Sequence, residues 1–216
     1  MGTVLAVGST NAAIVFGNLG ASGSDAIRNS GGFSLSTGTW RAIGFTTDAI
    51  NLVLNSATIG LETTTAGSAD IRLDLYSNNS GVPGSSLFNT SLTLAGNTAV
   101  APVTFSLNQT LTAGTTYFIV AQQTGGSATT FWRRPDASGV SPTALNGSGW
   151  SNLGSSTAQQ SLDSGVSWAA TGTGVASAIS LDASPIPEPG TWAAMAILAG
   201  GAAFAGWRRR RQQQLA

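Results

Sequence analysis

Between Ile14 and Ala183 apolar side chains recur at every second position and sustain no three-to-four-residue spacing. That periodicity restricts the chain more than anything else in it, because two-residue alternation bounded by turn-forming residues builds sheets and cannot build helices. Asp70-Ile71-Arg72-Leu73-Asp74-Leu75-Tyr76 is the clearest case. Ile71, Leu73 and Leu75 fall on one face of a strand, Asp70, Arg72 and Asp74 on the other. An arginine between two carboxylates on a solvent face reads as an exposed ion pair. The Ser77–Gly84 stretch that follows holds Asn78, Asn79, Gly81, Pro83 and Gly84, residues that tolerate positive φ or preset a turn.

Other segments repeat the pattern. Phe88, Leu92 and Leu94 alternate with polar residues, as do Val103, Phe105 and Leu107. Val175, Ile179 and Leu181 share a face, and Arg41–Thr47, Ile50–Asn55 and Ala57–Glu62 are further strand candidates. Tyr117-Phe118-Ile119-Val120-Ala121 is continuously apolar, which predicts a central strand buried on both faces. Roughly eight to twelve short strands over about 170 residues predict an all-β domain, a β-sandwich or jelly roll, over residues 14–184. Pro135–Gly165 is a long Ser-, Gly- and Asn-rich excursion around Trp150, either a functional loop or a run of short strands.

The chemistry available to such a domain is narrow. The chain has no Lys, His or Cys and only 8% charged residues. Nucleophile–base pairs built on histidine or cysteine are therefore unavailable, as are the usual zinc ligands and any disulfide. Carboxylates alone remain for acid–base work, and Asp70 with Asp74 is better explained by the intervening Arg72. No Asp-x-Asp-x-Asp-Gly run marks a calcium loop. No catalytic residue, metal site or cofactor is expected. Five arginines and nine acids precede Arg208, a balance that argues against nucleic acid as a partner. Phe131-Trp132-Arg133-Arg134-Pro135-Asp136 places an aromatic face beside two guanidinium groups, and Trp150 lies in the excursion. Trp132, Arg133, Arg134 and Trp150 are the candidate carbohydrate contacts, against the simpler reading that one of Phe131 and Trp132 is core.

The last residues read differently. Pro187-Glu188-Pro189 forbids a continuous helix at its start, and the stretch from Gly190 to Trp207 then carries no ionisable group. As a helix it spans about 27 Å, near the short end of what crosses a bilayer core. Trp192 and Trp207 stand near its ends, and Arg208, Arg209, Arg210 and Arg211 hold their end in the cytoplasm by the positive-inside rule. The order of motif, span and basic cluster over residues 185–216 resembles the PEP-CTERM sorting signal of exported bacterial proteins. The resemblance implies a single transmembrane helix in the inner membrane during transit. It implies recognition by an exosortase-type enzyme and cleavage near Pro187, Glu188 and Pro189, so that the mature protein ends at about Glu188. It also implies an exopolysaccharide-producing host.

Residues 1–13 read as the remnant of a signal peptide whose basic start lies upstream of Met1, with Ile14-Val15-Phe16 opening the mature domain. Arg72–Tyr76, the Gly81-Val82-Pro83-Gly84 turn and Thr112–Val120 resemble the choice-of-anchor extracellular domains, which implies display outside the cell and supplies no active site. The expectation is thus a periplasmic, cell-surface or extracellular protein with a non-catalytic structural or polysaccharide-associated role. The alternatives are a carbohydrate-binding module with an aromatic contact site, or a carboxylate-dependent glycan-active enzyme.

Overall fold

The structure is a computed structural model that describes residues 12–19, 27–135, 141–154, 157–171 and 176–186. Nearly all of these belong to one compact unit, Asn11–Ser184. The chain is all-β, with no α-helix among the described residues. None of them forms a helix long and apolar enough to cross a membrane. The expected span at Gly190–Trp207, the Pro-Glu-Pro motif and the arginine cluster lie outside the described residues, as do Met1–Asn11 and Val175.

Among the described residues fourteen strands run in chain order: β1 Ala13–Gly17, β2 Ile27–Leu35, β3 Trp40–Thr46, β4 Leu52–Thr63, β5 Ser68–Asn79, β6 Val82–Ala95, β7 Ala101–Leu111, β8 Thr116–Gly126, β9 Thr130–Pro135, β10 Thr143–Ala144, β11 Ser151–Asn152, β12 Ala158–Ser161, β13 Ala169–Ala170 and β14 Ile179–Pro185. They form two seven-stranded sheets. The first has the order β10-β1-β14-β4-β9-β2, with β7 also on β4; the second has the order β13-β12-β3-β8-β5-β6, with β11 also on β3. Phe16, Leu54, Ile59, Leu61, Phe105 and Trp132 of the first sheet share one core with Ile43, Phe45, Ile71, Leu73, Leu75 and Ile119 of the second. Each sheet thus gives one apolar face to the interior, which is what two-residue alternation supplies.

Two strand candidates merge. Ile50–Asn55 and Ala57–Glu62 become the single strand β4, because its inward-facing set passes from Leu52 and Leu54 to Ala57, Ile59 and Leu61. The register against β7 shifts at that point, between Leu54↔Gln109 and Ser56↔Ser106. Asn108 sits there at φ 51°, in the left-handed region that asparagine tolerates better than most residues. The bulge breaks the alternation that sequence reading relies on.

Strand β8 lies between β3 and β5, the central place its apolar run requires. Tyr117, Ile119 and Ala121 enter the shared core, whereas Phe118 and Val120 face outward. There they join Ala42 and Tyr76 in a second apolar cluster, which Trp40, Leu153 and Trp168 pack against. The excursion after Pro135 is therefore not one open loop. Among its described residues it supplies β10, β11 and β12, and it sends Trp150 into the main core.

Asp70–Tyr76 alternates as expected, with Ile71, Leu73 and Leu75 buried. The exposed ion pair is corrected. Asp74 is 0% exposed. It accepts hydrogen bonds from Arg72 Nε (2.8 Å) and Nη2 (2.6 Å), Ser86 Oγ (2.8 Å) and Gln122 Nε2 (3.1 Å). The outer face of β5 is covered, so this carboxylate ties β5, β6 and β8 together instead of meeting water. Asp70, beyond the covered part, accepts from Thr93 Oγ1 at 2.7 Å.

Removing such a carboxylate strands its donors. Asp74→Ala is expected to lower stability by about 3 kcal/mol, because it leaves a buried amide and a guanidinium unpaired. Arg72→Ala, at a partly exposed position, should cost about 1 kcal/mol. Urea denaturation of both variants checks this; a loss in Asp74→Ala no larger than in Arg72→Ala would show that Asp74 is not the tie.

Candidate functional site

The four candidate carbohydrate contacts do not form an exposed site. Trp132 stands at the middle of β9 with its indole 0% exposed, and its Nε1 donates to the Ala178 carbonyl at 2.8 Å. Trp150 is 2% exposed and stacks on Phe45, with ring centroids 5.0 Å apart and planes 8° from parallel. Phe16 and Tyr117 continue that aromatic layer, at 5.8 and 6.1 Å from Phe45. Neither indole presents a face to solvent. The reason is parity: on β9 the side chain at 132 points into the core, and the neighbouring Phe131 is the half-buried one.

Arg133 is buried too. It is ion-paired with Glu62, donates from Nη1 to the Gly31 carbonyl at 3.1 Å and lies over the Phe131 ring at 4.6 Å. Arg134 is half-buried, with its guanidinium 4.8 Å from the Phe33 ring centroid. Arg41 reaches the same ring at 4.7 Å and donates to Gln160 Oε1. Burial without a carboxylate partner lowers the Arg41 pKa from its ordinary value. Arg41 and Arg134 fasten the β2–β9 edge to β3 through the Phe33 ring.

The described carboxylates are likewise engaged. Asp48 accepts from the Ala49 N–H (2.6 Å) and Asp182 from Asn55 Nδ2 (3.0 Å), while Glu62, Asp70 and Asp74 have the partners given above. Among the described residues no group of three or more acidic side chains converges as a metal site would require.

A concave site lies elsewhere. A groove of about 600 Å³ opens between the β5–β6 hairpin and the Gly165–Trp168 loop. Its hairpin wall is Ser77, Asn78, Asn79, Val82, Pro83, Gly84 and Ser85; its loop wall is Gly165, Val166, Ser167 and Trp168. The hairpin turns through Ser80 and Gly81, with φ of 54° and 89°, as a two-residue connection between twisted strands demands. Asn78 Oδ1 accepts from the Gly81 N–H at 2.8 Å and holds that turn. The register of β5 on β6 shifts at Leu75/Tyr76 and again at Tyr76/Asn78. Bulges of this kind re-aim side chains beside functional sites. Ser77 Oγ, at the second shift, accepts from the Ser85 N–H at 3.0 Å. A Cβ at Gly84 would lie 2.9 Å from that oxygen, so the close approach there favours glycine.

The loop wall is set by Asp163. Its carboxylate accepts from the Ser167 hydroxyl (2.5 Å), the Ser167 N–H (2.9 Å) and the Ser161 hydroxyl (2.7 Å). Those bonds, the Ser167 hydroxyl first, lower the Asp163 pKa from 3.8 to about 2. Ser161 Oγ also accepts from the Gly165 N–H at 2.8 Å, and Gly165 takes φ 84° where a Cβ would strike the Trp40 ring. The Trp168 indole is half-buried against the outer apolar cluster and borders the groove. Trp168 escaped sequence reading because it has no aromatic or charged neighbour. The signal that marks it is the Ser161-x-Asp163 and Ser167 spacing, an Asx-type loop immediately before a tryptophan.

Residues 185–211 match the PEP-CTERM protein-sorting motif. The match supports export and sorting by an exosortase system and places the protein in the secreted or cell-envelope class. No curated protein matches the chain at a significant level.

Two measurements check these placements. Trp132→Phe should cost about 1 kcal/mol more than Trp150→Phe, because only the Trp132 N–H has a protein acceptor among the described residues. Equal losses in urea denaturation would remove the Ala178 bond from the account. The folded-state pKa of Asp163 lies below its unfolded value. Its bonds therefore contribute fully above about pH 4 and are lost as pH falls toward 2. The amide resonances of Gly165 and Ser167 should titrate together with a midpoint near 2, and not in Asp163→Asn; a midpoint at 3.8 would contradict the loop geometry.

Proposed function

We propose that this chain is an exported envelope or extracellular-matrix protein, delivered by an exosortase-type enzyme, that acts without catalysis as a structural or polysaccharide-associated module. The observation that carries the reading is the sorting motif at residues 185–211, behind an all-β domain poor in reactive groups. The engagement of each described carboxylate in the domain's own hydrogen bonds supports a non-catalytic role, since a general acid or base must be free to meet substrate. Pro187-Glu188-Pro189 is the segment the processing enzyme reads. The uncharged stretch from Gly190 to Trp207 is the membrane span held during transit, with Arg208–Arg211 on the cytoplasmic side. The released domain then associates with exopolysaccharide outside the cell.

Mass spectrometry of the exported form should find a C-terminus near Glu188, and deletion of the host exosortase should leave the full chain in the membrane fraction. An exported form that keeps Arg208–Arg211 would overturn the processing. Recovery of the wild-type protein free in the medium, with none in the polysaccharide fraction, would overturn the matrix role.

A further inference from the structure

We propose that the groove between the β5–β6 hairpin and the Gly165–Trp168 loop binds a short segment of an uncharged glycan. This inference deepens the polysaccharide-associated reading and rests on it. Three features of the groove select that ligand class.

The first is charge. Among the described residues, none that lines the groove is ionisable. A uronate, sulfate or phosphate would enter without a counter-ion, and a cationic ligand would meet no carboxylate. The arginines that could have made an anionic-glycan site are committed elsewhere: Arg72 to Asp74, Arg133 to Glu62, and Arg41 and Arg134 to the Phe33 ring.

The second is free hydrogen-bonding capacity in a fixed frame. Asn78 uses Oδ1 on the Gly81 N–H, which fixes the amide plane and leaves its Nδ2 donors without a partner among the described residues. Asn79 is exposed and makes no side-chain hydrogen bond among the described residues. The neighbouring amides and the Ser85 hydroxyl match the paired donors and acceptors of vicinal sugar hydroxyls. The volume, about 600 Å³, lies inside the range of small-ligand sites, about 300–1,000 Å³.

The third is the aromatic wall. Trp168 is anchored on the outer cluster, so its ring is held before any ligand arrives, which reduces the ordering cost of binding. Beside it Val166 is 85% exposed, higher than any other large apolar side chain among the described residues. The fold gives Val166 no burial. Together an indole and an isopropyl group offer an apolar surface to the C–H face of a pyranose, while the amides opposite take the hydroxyls. The groove offers side-chain amides at a hairpin end.

Isothermal titration of the full chain in mild detergent, against the neutral polysaccharides laminarin, dextran and galactomannan and the anionic alginate, tests this. Binding to at least one neutral glycan is expected, with no binding to alginate. Trp168→Ala should weaken it at least tenfold and Asn79→Ala about threefold or more. Asn79 is exposed and its side chain has no hydrogen-bond partner among the described residues, so that variant reports on binding even if Trp168→Ala perturbs the loop. Retention of wild-type affinity in Asn79→Ala and Trp168→Ala, preference for alginate, or binding of none of the neutral glycans would overturn the site. If the variants lose the purified glycan yet still fractionate with host matrix, the groove stands and the matrix is held by other contacts. If no neutral glycan binds while wild-type protein is retained in the matrix, the groove assignment fails and the broader proposal survives.

Discussion

Tyr117–Ala121 is apolar on both faces, and a strand of that kind has to be covered twice. The inner cover is the opposite sheet. The outer cover comes from side chains at the start of β3 and in the connections next to β11 and β13. Trp40, Leu153 and Trp168 pack on Phe118 and Val120 and on their neighbours Ala42 and Tyr76. Glycine at 44 is part of the same arrangement: a Cβ there would lie 2.6 Å from the Phe118 ring. The groove follows from this covering. Once the Gly165–Trp168 loop is drawn over the sheet it stands opposite the projecting β5–β6 hairpin, and the space between them is left open.

Among the described residues of a chain with so few charges, several of the charged groups serve as ties. Asp74 joins three strands, the Glu62–Arg133 pair joins β4 to β9, and Asp163 closes the loop that holds Trp168. Hydroxyls and amides do the remaining polar work. Thr47 Oγ1, for instance, donates to the Thr112 carbonyl and accepts from the Thr115 N–H, and Asn18 bridges Ser177 and Ile179. Neutral groups satisfied in this way carry no desolvation penalty of the size an ion does.

Linear signals were legible in the sequence and spatial ones were not. Residues 185–211 could be read directly because the processing machinery itself reads a contiguous segment. The alternation of Asp70–Tyr76 and the doubly buried Tyr117–Ala121 were legible for a related reason, since period and hydrophobicity act along the chain. What failed depended on parity or on partners far away in sequence. Trp132 and Phe131 are adjacent aromatics, and nothing local says which turns inward; the Ala178 carbonyl, 46 residues on, settles it. Trp150 looked like a loop tryptophan because its stacking partners, Phe16 and Phe45, come from two other strands. Asp74 looked exposed because its face of β5 is covered by distant residues. The break in β4 was a bulge, where a one-residue change of phase mimics a turn.

The same asymmetry bears on where the function resides. A sorting signal must work in a chain that has yet to reach its destination, so it is confined to contiguous residues with simple chemistry. A binding groove needs only to exist after folding, so its parts can be scattered: Asn78 and Asn79 on a hairpin, Trp168 some ninety residues later, and Asp163 to set the loop. None of those residues is conspicuous alone. Asn79 is one of many asparagines, and Trp168 one of six tryptophans. They gain meaning through the doubly apolar strand that draws the loop across the sheet. The proposed glycan recognition would in this way be a consequence of how β8 is buried, separable from the address that brings the domain to the envelope.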